Sequence, residues 1–91
     1  MITAERLREL LSYEPTTGLF RWLVRTSNRV RVGDIAGSDC TDGYRKIAID
    51  GNSYLAQILA VLHVTGEWPV ENVPRRNLDR EDNRWINISA A

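Results

Sequence analysis

The 91-residue chain has one cysteine, one histidine and one lysine, and its twelve basic residues balance twelve acidic ones. Each scarcity excludes something. Cys40 alone cannot form an intramolecular disulfide or a cysteine-built zinc site, and its neighbours Ser38, Asp39, Thr41 and Asp42 offer no cation to activate the thiol. His63 is the sole imidazole, has no carboxylate partner nearby in sequence and is read as structural or solvent-facing. No apolar run approaches the length of a membrane span: the longest, residues 55–64, is interrupted by Gln57 and His63. The first residues mix Glu5, Arg6, Arg8 and Glu9 into apolar positions, unlike the core of a secretory signal. The expectation is a cytoplasmic protein that needs no cofactor, no metal and no membrane. A chain of this length buries about 60–65% of its unfolded surface, enough for one core and little more.

What is abundant is arginine, which supplies eleven of the twelve cations, Lys46 being the other. Its planar fork suits carboxylates and phosphates. Neutrality is a cancellation between segments: residues 1–20 carry −1, 21–46 carry +3, 47–74 carry −3 and 75–91 carry +1. Arg21, Arg25, Arg29, Arg31, Arg45 and Lys46 form one basic group, and Arg75, Arg76, Arg80 and Arg84 a second. Three readings stay open for them: contact with a phosphate backbone, contact with an acidic protein, or a solvated face. Asp79, Glu81 and Asp82 interleave with Arg80 and Arg84, so they read as a salt-bridged loop and not as a metal cluster.

Periodicity predicts an α+β domain. Thr3 is placed to cap a helix whose Leu7, Leu10 and Leu11 share a face, and that helix is expected to stop before Pro15. Residues 19–25 alternate, with Phe20, Trp22 and Val24 on one side and Arg21, Leu23 and Arg25 on the other, as a strand requires. Residues 29–32 alternate again. A strand is expected over 44–49, a reversal at Asp50-Gly51-Asn52, and a central apolar helix from about Tyr54 to Val64, stopped by Gly66. Trp22 and Trp68 are read as core residues.

The stretches LLSYEPTTGLFRW (10–22), VGDIAG (32–37), GYRKI (43–47), YLA (54–56) and TGEWP (65–69), followed by Asn77, Asp79, Arg80, Asp82-Asn83-Arg84-Trp85 and Asn87, occur in a telling order. Over nearly the whole chain this pattern resembles the small phage-type HNH homing-endonuclease-like proteins. The resemblance implies one domain over 1–91, with short antiparallel strands, a central helix and a ββα-metal segment over 70–91. It also implies host cytoplasm as the location. HNH nucleases hold a divalent metal with hard ligands and use a neutral imidazole as general base on water. Carried over position by position, the metal-binding Asp falls on Pro74 and the base on Arg75, which cannot accept a proton. The Asn that orients the base survives as Asn87, and the final metal ligand would stand beyond Ala91. The resemblance therefore implies a nuclease-like protein without nuclease chemistry, retained to bind DNA, a host or phage protein, or a second copy of itself. An adaptor or inhibitor with no DNA role is the alternative, and an active nuclease the third reading. Without its last helix, the 70–91 remnant is expected to be loose or held by dimerisation. Gln57, Ile58 and Val61 stand where relatives carry His, Arg and Trp, which makes the central helix more apolar and predicts deeper packing or a protein partner.

Overall fold

A computed structural model describes residues 2–25, 30–39, 44–69 and 82–88. Helix α1 (Ala4–Leu10) opens where the Thr3 hydroxyl accepts the Arg6 amide at 3.1 Å, and it buries Leu7 and Leu10. It ends well short of the expected stop before Pro15, because residues 11–14, expected in the helix, form a strand. Leu11 is already extended and begins strand β1 (Leu11–Glu14), which pairs antiparallel with β2 (Leu19–Trp22). Leu11 and Tyr13 lie on the same face as their partners Trp22 and Phe20, and that cross-strand burial outweighs continuing the helix toward Pro15.

β2 stops at Trp22, short of the expected Arg25, and Val24 is exposed instead of sharing the inward face of Phe20 and Trp22. Nor do the described residues of the expected alternating segment form a strand. Val30 packs against the core, whereas Arg31 to Asp34 form a β-turn closed by the Asp34 amide on the Arg31 carbonyl. Gly33 sits in that turn at φ +92°, a conformation that disfavours side chains.

The second hairpin follows the sequence closely. β4 (Arg45–Ile49) turns through Asp50 and Gly51, both at positive φ, into β5 (Asn52–Leu55), with Ile49 opposite Asn52. A two-residue strand β3 (Ser38–Asp39) flanks β4 on its other side. Tyr54 and Leu55 are used in the ladder, so the apolar helix α2 (Ala56–Thr65) starts later than its sequence pattern alone implies. It ends at Gly66 in the left-handed conformation, whose amide donates to the Leu62 carbonyl.

α2 is the central element, in contact with α1, β4, β5 and the short helix α3 (Trp85–Ile88). Trp22 lies in the core, and Trp68 packs at its margin against Tyr54 while donating its indole N–H to the Ile2 carbonyl at 3.2 Å. The architecture is a small α+β unit of two antiparallel hairpins and three helices among the described residues. None of those helices is long and apolar enough to cross a membrane.

The expectation of a loose 70–91 segment fails for residues 82–88. They pack within the single chain: Ile88 is 1% exposed, Asn83 1% and Asn87 3%. Burial of Ile88 and the bond from the Trp85 amide to the Pro15 carbonyl hold them against the rest of the fold. Residues 70–81 and 89–91 lie outside the described part.

Candidate functional site

Arg21 and Arg45 are built into the connection between the two hairpins. Residues 33–36 lie along the free edge of β2: the Trp22 amide donates to the Asp34 carbonyl (2.9 Å), Gly33 to Trp22 (2.8 Å) and Ala36 to Phe20 (2.8 Å). Arg21 faces Ile35 across this edge. The chain then crosses to β4 through Gly37, at φ +96°, where a Cβ would fall 2.9 Å from both the Ile47 side chain and the Lys46 carbonyl. Arg21 donates Nε to Glu14 Oε1 at 3.1 Å and a terminal nitrogen to the Gly33 carbonyl at 3.0 Å. Arg45 donates to the carbonyls of Ala36 (3.2 Å) and Gly37 (3.3 Å). Two of the predicted binding arginines thus satisfy backbone acceptors that an irregular connector leaves over. Glu14, held by the Thr17 hydroxyl and then by Arg21, has its carboxyl below the usual range.

The remaining predicted cations are distributed differently. Arg31 is exposed, and its backbone amide donates to Asp34 Oδ2 at 3.0 Å. Lys46 is half-buried on β4, and Arg25 is exposed just beyond β2. Arg84 clamps Asp82 with Nε on one carboxylate oxygen and a terminal nitrogen on the other, both at 2.8 Å. Arg29, Pro74, Arg75, Arg76 and Arg80 lie outside the described residues.

Around Asp82 the segment folds onto itself and onto the first hairpin. The Asn87 side-chain amide donates Nδ2 to the Asp82 carbonyl at 2.7 Å, closing the loop into α3. The Tyr13 hydroxyl donates to the Asn83 carbonyl, and the Trp85 amide to Pro15 at 2.9 Å. Burial, with the Asp82 charge second, pushes the Tyr13 phenol up to about 12. Gly18, at φ +77°, makes the close approach possible: a Cβ there would fall 2.3 Å from the Asn83 carbonyl carbon. The sequence marks Gly18 as a turn residue, but nothing local to it signals the tail that rests there.

His63 bears out its structural reading. Its Nε2 lies 3.0 Å from the Leu11 carbonyl, which fixes the proton on that nitrogen, and the ring packs against Tyr13 and Phe20. Burial, reinforced by Arg8, lowers its pKa, while the Leu11 bond opposes the shift. Arg8 donates to the His63 carbonyl at 3.0 Å. Gln57 faces inward at 7% exposure, with Oε1 unpartnered among the described residues.

Among the described residues, no group of three or more His, Cys, Asp or Glu side chains is arranged to hold a metal. An open cleft of 330 Å³ lies between α1 and the β4–β5 turn, floored by Leu10, Trp22 and Ile49. Arg6, bonded to both oxygens of Asp50 at 3.3 and 3.4 Å, stands on its rim. Comparison of the chain with protein-family models, with curated proteins and with solved structures finds no match in any of the three.

Proposed function

We propose that this chain is an HNH-endonuclease-like, phage-type protein without nuclease chemistry, retained to bind an anionic macromolecule. The observation that carries the reading is what Asp82 and Asn87 do. The resemblance makes Asn87 the residue that orients the base, and it gives Asp82 no ligand role, the metal-binding Asp position falling on Pro74. In this chain the Asp82 carboxylate is filled by the Arg84 fork, and the Asn87 amide is spent on the Asp82 carbonyl. The one imidazole, His63, is half-buried on α2, bonded to the Leu11 carbonyl and packed against the rings of Tyr13 and Phe20. Pro74 and Arg75 supply neither an oxygen ligand nor a proton acceptor at the positions the resemblance makes catalytic.

Two sources of anionic groups fit an arginine-rich surface: the DNA backbone and a host or phage protein. The adaptor reading, with no DNA role, draws support from aliphatic side chains left exposed near the basic strand: Leu23, Val24, Val32 and Ile35. The test of lost chemistry is nicking of supercoiled plasmid with magnesium or manganese. The expected result is no cleavage above a metal-only control; robust cleavage abolished by chelation would overturn the proposal.

A further inference from the structure

We infer that the N-terminal end of α2, together with Gln57 and Lys46, is a binding site for a single phosphate group. Such a site rests on the reading of the chain as a binder of anionic macromolecules and gives that partner one point of contact.

Eleven of the twelve cations are arginines, and the one lysine stands at a particular place in the fold. Lys46 on β4 lies directly opposite Leu55, the residue that precedes the first turn of α2. Residues paired this way in an antiparallel ladder hold their Cβ atoms about 5 Å apart on one face of the sheet. The lysine stem therefore starts beside the beginning of the helix. Arg21, Arg45 and Arg84 are spent on carbonyls or carboxylates, whereas Lys46 has no hydrogen bond or ion pair among the described residues.

The helix end beside it is polar and uncapped. The first amides of an α-helix lack intrahelical acceptors. In α1 the Thr3 hydroxyl takes one of them, but the cap position of α2 is Leu55, which has no side-chain oxygen, and the first turn holds no acidic residue. Gln57 belongs to that turn, is 7% exposed and has Oε1 buried without a partner among the described residues. Long side chains on a helix lean toward its N-terminus, which brings this amide to the same end as the backbone donors. A buried amide oxygen with no donor is costly. Half a turn of the amide presents Nε2 in its place, and an acceptor arriving from outside then completes it. Lys46, Leu55 and Ile58 are half-buried and not enclosed, so the end is reachable from solvent.

Backbone N–H groups, a primary amide and an ammonium are all donors, and the helix dipole adds its own preference for negative charge. A phosphate offers oxygens in tetrahedral directions to donors from separate groups. Lysine serves it as a point charge, whereas the arginine fork is matched to planar, bidentate partners.

The test is titration of the isotope-labelled full chain with sodium phosphate at constant ionic strength, followed through the backbone amide signals, with a short DNA duplex titrated in parallel. Two variants accompany it: Lys46→Gln, and Gln57→Met, which keeps the length of the side chain and removes its amide. Saturable shifts concentrated on Ala56, Gln57 and Ile58 are expected, with affinity at least about tenfold weaker in Lys46→Gln and reduced in Gln57→Met. Shifts spread evenly over the parent chain, or α2 shifts that both variants retain at unchanged affinity, mark an adventitious ion only and overturn the inference. The location of the shifts in the parent decides the matter even where a variant fails to fold. A duplex that moves the same α2 signals and is displaced by free phosphate identifies the group as a nucleic-acid backbone phosphate. A duplex that leaves them unmoved, while free phosphate still binds there, identifies a small-molecule phosphate. Duplex binding that moves only other signals, with no phosphate bound at α2, overturns the inference and leaves the reading of the chain as a binder of anionic macromolecules intact.

Discussion

Tyr13 joins the first hairpin to the distant tail through one hydroxyl, and the same contact creates a pH dependence. Its phenol is pushed from the usual 10 up to about 12, chiefly by burial, so the folded chain holds the proton more tightly than the unfolded chain does. The stabilisation is complete below about pH 10 and is lost as the pH rises through 10 to 12. Tyr13→Phe should cost about 1 kcal/mol at neutral pH and should flatten that alkaline loss, both readable from urea midpoints. His63 acts at the other end of the scale. Burial lowers its folded pKa below the ordinary 6.5, so its contribution is present above that value and fades as the pH falls beneath it. His63→Gln keeps a donor for Leu11 and should unfold with less change in midpoint between about pH 7 and pH 5 than the parent.

At the level of elements, what could be read from the sequence is what local chemistry decides. Asp50-Gly51 dictates the second hairpin turn, Thr3 starts α1 and Gly66 stops α2, and each does so in the fold. Leu11 shows where local reading ends, because it fits a helical stripe and a strand alternation equally well and only its partner Trp22 decides. The short β3 depends on β4, and α3 depends on Gly18 and Tyr13 some seventy residues away. The arginines were legible as a group but their work was not. Arg21 and Arg45 close a connector whose unpaired carbonyls exist only once both hairpins are formed. Gly18→Ala tests the tail contact, since a methyl group must displace the Asn83 backbone and also tolerate φ +77°. It should destabilise the chain by about 2–3 kcal/mol. Combined with Tyr13→Phe, the loss should be less than additive, because both substitutions act on the same docked segment.

For the molecule as a whole, the balance of twelve cations and twelve anions conceals an uneven surface. Several of the charges are spent in pairs that hold the fold, Arg21 with Glu14, Arg84 with Asp82 and Arg6 with Asp50. These exposed or partly exposed pairs contribute modestly to stability, but they remove cations from the surface offered to a partner. The account therefore turns on the 82–88 segment acting as a clasp of the fold and not as one arm of a metal centre. The direct measurement is a manganese titration followed by paramagnetic broadening of backbone amide signals in the full chain. Uniform, weak broadening with the signals of Asp82 to Ile88 no more affected than the rest is the predicted result. Selective, saturable loss of the Asp82, Asn83 and Asn87 signals at low manganese would show a metal bound at the clasp and would contradict the account.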